Sequence, residues 1–365
     1  MSIVNDLWNA LCLLAHPSLQ EEYDNSGLIT GDRWASVTGV LVSFDVNEAV
    51  IDEAIERHCN VIVAHHPALF RPLKQITSDT STGRILLRAI RNNIALIAMH
   101  TNLDNHLQGV NRELGKRIGL SNLNILSKVE GKLRKLTTFV PTNYTEAVRS
   151  AMFEAGAGNI GHYDSCSYNT NGTGTFRAGE HTNPFVGERN NIHFEPEVKI
   201  EVVYPQWLEK QLVETLKRVH PYEEVAYDLF QLQNEIPVIG AGMIGTLDTP
   251  MKEESFLDHL KTVLGTPGLR HTKLSNRMIS SVAICGGSGS FLIRKAASAG
   301  ADAFVTGDVK YHEFFESPEQ LLLVDAGHYE TEQFTVQLLA HYLTENFPNF
   351  AVLISNVNTN PVHYA

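Results

Sequence analysis

The stretch Val61-Ile-Val-Ala-His-His-Pro67 is the clearest structural signal in this chain of 365 residues. Its first four residues are apolar and three of the four are β-branched, which predicts a buried strand of a parallel sheet. His65 and His66 follow that strand directly. Ligands of open α/β sheets bind just beyond the carboxyl ends of the strands, and neutral imidazole is the commonest metal-binding side chain. By itself the motif fits a metal site and a purely structural histidine pair about equally well.

Strands and helices alternate on both sides of this stretch. Apolar strand segments at Gly39–Phe44 and Ile94–Ala98 flank it, and helical patterns occur at 48–58, 80–92 and 110–118. Asp45, with Glu48 three residues later, has the spacing of a capping box for the first of these helices. Alternating strands and helices predict βαβ units, and hence a mainly parallel sheet with helices on both faces.

The same alternation returns after residue 280, where three more apolar strand segments follow one another. At an offset of 242 positions, Val63 falls on Val305 and His66 falls on Asp308. Such internal similarity is typical of a duplicated unit. The chain is therefore predicted to be an α/β protein with two similar αβα halves, whose sheets are mainly parallel and whose strand ends meet.

The segment between the halves differs from them in composition. Residues 156–195 are rich in Gly, Asn, Thr and Ser, and alternating strand patterns at Val198–Tyr204 and Glu224–Leu232 enclose an amphipathic helix. These patterns indicate an α+β unit. We therefore expect an inserted domain at 130–247, within a metal-binding αβα domain formed by 1–129 and 248–365.

Composition narrows the classes of function. The chain is 43% hydrophobic and 19% charged, as soluble globular proteins are. Its net charge of −12 and the lack of a Lys/Arg run argue against a nucleic-acid partner. The four cysteines form no CxxC pair, which predicts a reducing compartment without a cysteine zinc site. No signal-like start or membrane-length apolar stretch is present in the sequence, so we expect a cytoplasmic protein without membrane association.

Candidate metal ligands follow three of the predicted strands, and they are His65, His66, Asp104, His328 and Glu332. Three imidazoles and two carboxylates without cysteine exceed a closed four-coordinate structural zinc site. They fit two divalent ions bridged by a carboxylate, and zinc, iron, manganese and nickel all accept such donors. Each residue also has a structural interpretation, because His100, Asp104 and His328 can cap helices and Glu332 is an acid favoured near a helix N-terminus.

Two further polar residues lie at or near the position that corresponds to His66 in the internal repeat. Asp308 and His312 are candidates for proton transfer or for supporting the ligands, with His312 the better general base and helix capping the alternative. The glycine-rich turn 286–289 resembles an anion cradle, although it is neither GxGxxG nor a Walker loop, so a plain tight turn is favoured. We also expect Asn25, Ser26 and Asp45 in the same cleft.

Several motifs in combination are typical of one protein family, and they are Asp24-Asn-Ser-Gly-Leu28, Ser43-Phe-Asp-Val46, Ala64-His-His-Pro67, His100-Thr-Asn-Leu-Asp104, Thr306-Gly-Asp308, Asp325-Ala-Gly-His328-Tyr-Glu-Thr-Glu332 and Asn360-Pro361. Through them the chain resembles the NIF-three-like family, also called the dinuclear-metal-centre hexameric proteins or GTP cyclohydrolase I type 2 homologues. The resemblance implies a dinuclear site made by the five candidate ligands and a toroidal homohexamer with the metals facing an internal cavity. It also implies that the middle segment, with His220-Pro-Tyr-Glu-Glu224, is a ferredoxin-like insert similar to CutA and PII-type signalling proteins.

Two functions remain open from the sequence. In the first, the protein is a metal-dependent hydrolase, in which a metal-bridging hydroxide attacks a nucleotide, at a purine C8 as in ring opening of GTP, or a phosphoester. In the second, it is a non-catalytic homo-oligomeric assembly that stores, senses or delivers metal or regulates partners, with the insert as sensor. If the histidines only cap helices, the purified protein carries no metal.

Overall fold

The computed structural model describes residues 2–364 and divides the chain into two compact units. One unit comprises Met1–Lys128 and Val238–Ala365, and the other comprises Val129–Pro237. The insert expected at 130–247 therefore ends ten residues earlier at its C-terminal side. The physical reason is strand pairing, because Met243 to Thr246 pair with Ile284 to Ser281 in a sheet of the first unit.

The first sheet of the first unit contains the histidine stretch. Its strands are β1 (Gly27–Thr30), β2 (Gly39–Ser43), β3 (Val61–Ala64), β4 (Ala95–Ala98) and β15 (Ala351–Ile354). They lie in the order β1-β4-β3-β2-β15, with β1 antiparallel to β4 and the other neighbours parallel. The three central strands predicted from the sequence are confirmed, whereas β1 was not predicted.

The second sheet has a closely similar arrangement. Its strands are β5 (Leu120–Glu130), β10 (Glu235–Lys252), β11 (Arg270–His271), β12 (Met278–Ser288), β13 (Ala303–Gly307) and β14 (Leu322–Asp325). They lie in the order β11-β14-β13-β12-β10-β5. β12, β13 and β14 are parallel, while β11 and β10 pair antiparallel with their neighbours. The unit is thus a mixed α/β fold, in which the central strands of both sheets are parallel and β1, β10 and β11 pair antiparallel with their neighbours.

Helices cover both faces of the first sheet. The helices of this unit are α1 (Val4–Leu14), α2 (Glu48–Glu56), α3 (Ser81–Arg91), α4 (Thr101–Asp104), α5 (Val110–Ile118), α8 (Glu253–Leu264), α9 (Ile293–Ser298), α10 (His328–Glu332) and α11 (Thr335–Asn346). Side chains alternate across a strand. Val61 and Val63 accordingly pack in one core with α1 and α11, and Ile62 packs in another with α2 and α3. The continuous apolar run of β3 follows from this burial on both faces.

The start of α2 differs from the predicted capping box. The side chain of Asn47, and not that of Asp45, accepts the backbone N–H of Val50 and caps the helix. Asp45 instead accepts hydrogen bonds from His66 and from Thr359. The prediction was wrong because local spacing cannot show that a distant side chain competes for the same carboxylate.

The second unit consists of one sheet and two helices. Its elements are β6 (Leu133–Pro141), α6 (Thr145–Glu154), β7 (Tyr168–Arg177), β8 (Ile192–Pro205), α7 (Glu209–Val219) and β9 (Tyr227–Leu232). The strands lie in the order β7-β8-β6-β9, and all pairings are antiparallel. One face of β6 and β8 packs on both helices. β7 is an edge strand that is mostly exposed on both faces, which explains why its sequence shows no apolar alternation.

Two further findings concern the chain as a whole. In the part of the chain that the structure describes, no helix is long and apolar enough to span a membrane. The four cysteines, Cys12, Cys59, Cys166 and Cys285, are free thiols.

Candidate metal centre

The five predicted ligands converge at one place in the first unit. They arrive from three strand ends, with His65 and His66 directly after β3, Asp104 at the end of α4 after β4, and His328 and Glu332 at the two ends of α10 after β14. The carboxyl ends of parallel strands meet at one edge of a sheet, which is why residues far apart in sequence reach the same volume. Their ligand atoms form groups that could hold a metal ion.

Glu332 lies at the centre of this cluster. Its Oε2 atom is 3.5 Å from Nε2 of His65, 3.3 Å from Nε2 of His66 and 3.0 Å from Nε2 of His328. Asp104 completes the group, with Oδ1 3.6 Å from Nε2 of His65. One ligand set is therefore His65, Asp104 and Glu332, and another is His66, His328 and Glu332. Glu332 is common to both of these sets, and a third set consists of His65, His66 and His100.

The far nitrogen of each imidazole is engaged by the protein. Nδ1 of His65 donates to the carbonyl oxygen of Met99 at 2.8 Å. Nδ1 of His66 lies 2.7 Å from Oδ1 of Asp45. Nδ1 of His328 is likewise 2.7 Å from Oδ2 of Asp308. Metal-binding histidines typically have this arrangement, because an acceptor at one ring nitrogen fixes the ring and directs the other nitrogen to the ion.

Three ligand atoms of the cluster are buried without a hydrogen bond, and they are Nε2 of His65, Oδ1 of Asp104 and Oε2 of Glu332. A buried polar atom without a partner is costly, and native proteins rarely tolerate several at one point. Divalent cations would satisfy all three atoms at once. The donor set of imidazole nitrogen and carboxylate oxygen suits first-row transition metals and zinc. The residues therefore fit a metal centre.

The environment shifts the pKa values of the histidines in opposite directions. Burial lowers the pKa of His65 to about 4. Burial acts in the same direction on His66, but its hydrogen bond to Asp45 and nearby carboxylate charge outweigh it and raise the pKa to about 9. For His328, burial is likewise outweighed by Asp308 and nearby carboxylate charge, which raise the pKa to about 11. His66 and His328 thus keep a proton to a higher pH than a free histidine does, whereas His65 loses it at a lower pH.

The pKa values of the two central carboxylates, those of Asp104 and Glu332, also shift in opposite directions. Burial raises the pKa of Asp104 well above its usual range, and the negative charge of Glu332 adds to the effect. Burial would also raise the pKa of Glu332, but the surrounding histidines outweigh it and hold the pKa well below its usual range. Glu332 therefore carries a buried negative charge that needs cations close by.

Helix capping, the alternative role considered for these side chains, does not account for their positions. His100 precedes α4 but makes no capping hydrogen bond with its ring, and Asp104 is the last residue of that helix. Gly327 is the N-cap residue of α10. Glu332 is the last residue of that short helix and not an acid of its first turn, so a favourable helix dipole does not account for it.

His100 is an additional imidazole beside the cluster. Its ring centroid is 5.3 Å from that of His65 and 5.1 Å from that of His66. Its Nδ1 lies 2.7 Å from Oδ1 of Asp24, whose side chain is fully buried and also accepts hydrogen bonds from Ser26 and Thr101. Nothing in the sequence motif around Asp24 showed that its carboxylate reaches a histidine of another element.

The two residues proposed for proton transfer occupy different places. Asp308 contacts the cluster through His328 and accepts a further hydrogen bond from the hydroxyl of Ser288. His312 is exposed on a short 3-10 helix, where its ring contacts Tyr311. The structure therefore brings Asp308 to the candidate site and does not bring His312 there.

The predicted glycine turn makes room for Glu332. Gly287 has a φ of +58°, and a Cβ at this position would lie 2.4 Å from Oε1 of Glu332. Its backbone N–H donates to the hydroxyl of Thr331. The turn thus leaves room for the carboxylate of Glu332 and hydrogen-bonds to α10. These contacts favour a plain turn over an anion-binding loop.

Cavities adjoin the cluster on two sides, and His66 and His328 line both. One, here called the tail cavity, has a volume of about 710 Å³ and is also lined by Arg270 and by residues 360–362 and 364 of the C-terminal segment. The other, here called the aromatic cavity, has a volume of about 600 Å³ and includes Tyr23, Phe70 and Phe291. Small-molecule sites are typically of about this size, roughly 300–1,000 Å³. Small molecules can therefore reach the cluster.

Comparisons with known protein families, sequences and structures all indicate the same family. The model of the family Duf34/NIF3 (NGG1p interacting factor 3) matches residues 2–361. A relative from Halalkalibacterium halodurans, named GTP cyclohydrolase 1 type 2 homolog, is 39% identical over 349 residues, which cover 94% of each chain. A relative of the same name from Bacillus subtilis is 37% identical over 346 residues, covering 93% of this chain and 92% of that one. The crystal structure of a Bacillus cereus protein related to NIF3 is similar with a TM-score of 0.85 and 34% identity, covering 100% of this chain and 99% of that chain.

Proposed function

Because the chain belongs to the Duf34/NIF3 family, we propose that it is a dinuclear metal-binding protein acting as a hydrolase on a nucleotide or a phosphoester. One observation carries the proposal. Nε2 of His65, Oδ1 of Asp104 and Oε2 of Glu332 are buried together without a hydrogen bond. This arrangement is expensive for a protein unless cations complete it.

Two sets of residues would hold the ions. His65 and Asp104 belong to one set, His66 and His328 to the other, and Glu332 is shared between them. When bound, a pair of divalent ions supplies Lewis acidity and lowers the pKa of coordinated water to near neutral. Asp45 and Asp308 orient the imidazoles of His66 and His328.

The tail cavity is the better of the two places for a substrate. Arg270 is the one Lys or Arg side chain among the described residues that line it. Its guanidinium contacts Asp325 and donates to the carbonyl oxygen of Val309 at 2.9 Å, which fixes its position. With a side chain 61% exposed, Arg270 also has donors for an anionic group. A phosphate bound there would lie beside His66 and His328, which line the same cavity.

The test is elemental analysis of the purified protein together with turnover on a panel of nucleotides and phosphoesters. We expect a divalent metal in stoichiometric amount and turnover of at least one nucleotide or phosphoester. His65→Ala should lose both the metal and the turnover, because it removes the only imidazole of the set formed by His65, Asp104 and Glu332. Protein without bound metal after loading, or equal turnover by the variant, would contradict the proposal. Metal without turnover would favour the non-catalytic alternative, for which a cavity of about 630 Å³ in the second unit is the specific support.

The architecture supports two finer proposals. We propose that the first unit consists of two related αβα halves, because β1-β4-β3-β2 and β11-β14-β13-β12 share order and direction. We also propose that the second unit is ferredoxin-like, as in CutA and PII-type proteins. Its βαββαβ element order and its antiparallel strand order β7-β8-β6-β9 support that assignment.

A further inference from the structure

The second unit contains a cavity on the face of its sheet that the helices leave open. Val198, Ile200 and Val202 of β8 pack on the helices, so the alternate residues Glu197 and Lys199 face the other way. Both line the cavity, whose volume is about 630 Å³. This volume suits a small molecule. The cavity is called the glycine cavity below.

Two glycines of the edge strand β7 make the space. Gly172 pairs with Glu197 across the ladder and Gly174 pairs with Glu195, so both lie on the open face. A Cβ at Gly172 would meet no atom within 4 Å, whereas one at Gly174 would lie 2.1 Å from Oε2 of Glu197. Neither glycine has a φ in the left-handed region, so the backbone does not require them. Glycine inside a strand often marks a place where a ligand approaches closely.

The floor of the cavity carries a buried carboxylate. Glu197 is only 9% exposed, and its Oε1 accepts a hydrogen bond of 2.8 Å from the hydroxyl of Tyr222. Burial and the adjacent carboxylate raise the pKa of Tyr222, so its hydroxyl keeps the proton that it donates. Among the described residues, no side chain donates a hydrogen bond to Oε2. Oε2 is therefore an acceptor that a ligand in the cavity can use.

Aromatic rings form the walls. The ring of Tyr222 has its centroid 6.0 Å from that of Phe176 and 6.2 Å from that of Phe185, and all three line the cavity. Flat walls above a glycine backbone suit a planar ring. Lys199 also lines the cavity, but its ammonium lies 3.4 Å from Glu201 and is thereby partly neutralised. Glu197, Glu223 and Glu224 outnumber Lys199 and Arg177 in the lining, so the lining favours a donor-bearing ring over a phosphate.

We propose that the glycine cavity binds a small planar heterocycle that directs adjacent N–H donors at Glu197, as the amino-substituted edge of a guanine ring does. The carboxylate accepts from the two donors, and Phe176, Phe185 and Tyr222 contact the ring. The site lies wholly within the second unit and uses none of the residues of the metal centre.

Titration calorimetry on the full chain tests this proposal with guanosine as the probe. We expect saturable binding of guanosine, and binding of inosine weaker by about tenfold or more, because inosine lacks the exocyclic amino group and a hydrogen bond to a charged acceptor is lost. Glu197→Gln should weaken guanosine binding by a similar factor. His65→Ala should leave it unchanged, which separates this site from the proposed metal centre.

Gly172→Val is the sharpest variant because the new side chain enters open space and β-branched residues are favoured in strands. It should abolish guanosine binding while leaving the fold intact by circular dichroism. Gly179→Val is the matched control, since Gly179 has no atom within 4 Å of its added Cβ and is not among the described residues that line the cavity. It should bind as the unsubstituted chain does.

Three results would overturn the proposal. The first is no saturable binding of guanosine to the unsubstituted chain. The second is equal affinity of Gly172→Val and the unsubstituted chain. The third is a change in oligomeric mass on Gly172→Val without any ligand binding, which would assign the cavity to a second copy of this chain.

Discussion

Each imidazole of the candidate metal centre has one ring nitrogen fixed by an oxygen of the protein. The acceptors come from different elements, with the carbonyl oxygen of Met99 for His65, Asp45 for His66 and Asp308 for His328. Fixing Nδ1 determines which nitrogen faces the cluster and reduces the freedom that a ligand loses on binding an ion. These hydrogen bonds therefore hold the three imidazoles in position without an ion.

The substitution Glu332→Gln tests the shared carboxylate. The amide keeps the size of the side chain but removes the charge that faces three imidazoles. We expect the metal content of the purified protein, measured by inductively coupled plasma mass spectrometry, to fall from the proposed two ions per chain to one or none. The neutral amide oxygen is attracted to a divalent ion less strongly than the charged carboxylate oxygen is.

Glu330→Gln is the matched control for this substitution. Glu330 is buried in the same short helix, but its Oε1 accepts from Asn360 and not from the cluster. Its replacement should leave the metal content unchanged. An equal loss in both variants would point to the helix and not to the bridging carboxylate.

The substitution Asp308→Asn tests whether this residue supports His328. Asp308 has a φ of +55°, a conformation that asparagine adopts readily, so the backbone should be preserved. We expect metal affinity to fall by about 10- to 100-fold, as is typical when the partner of a ligating histidine is lost. Competition with a chromophoric chelator measures this affinity. Unchanged affinity with lost turnover would instead give Asp308 a direct role in proton transfer.

At the scale of elements, the turn within β12 decides where the carboxylate of α10 can lie. Gly287→Ala places a Cβ 2.4 Å from Oε1 of Glu332, so the side chain must move. We expect loss of bound metal together with a lower urea midpoint. Gly300→Ala is the control, because Gly300 also has a positive φ but no atom within 4 Å of an added Cβ. It should lose about 1 kcal/mol of stability from backbone strain alone and keep its metal.

At the scale of the whole molecule, metal binding and folding should be linked. The candidate ligands follow strands of both sheets of the first unit, so an ion bound only by the folded chain would stabilise the unit as a whole. With free metal at a hundred times Kd, the stabilisation is about 2.7 kcal/mol. We expect a chelator to lower the midpoint of thermal unfolding by several degrees, and added metal to restore it. Glu332→Gln should show a smaller shift.

We also propose, from the resemblance in sequence, that the chain assembles as a toroidal homohexamer. Phe291, Tyr311 and Phe315 of the first unit expose about 70% of their surface, and exposed aromatic side chains commonly mark contact surfaces. Light scattering after gel filtration should give six times the chain mass of 40.5 kDa. Phe315→Glu should reduce that mass without loss of helix content, whereas a monomeric unsubstituted chain would contradict the assembly.

The sequence determined the elements that local patterns encode. β3 was predicted because burial on both faces requires an unbroken apolar run, and α5 was predicted with its bounds because Gly119 ends it in the left-handed conformation with a φ of +83°. The edge strand β7 was not predicted, since an exposed strand needs no apolar alternation. The five candidate ligands were proposed because ligands of open α/β sheets bind beyond the carboxyl ends of the strands, and these residues follow β3, β4 and β14 within a few positions.

Only the tertiary structure decided which distant groups meet. It joined Asp24 to His100, directed Asp45 to His66 and away from a helix cap, and left His312 at the surface. These contacts depend on how strand ends and loops are brought together in space, a geometry that local spacing does not encode. Sequence pattern records which side chains are available at each strand end, whereas the packing of the sheets sets their distances, and distances of a few ångströms govern the chemistry.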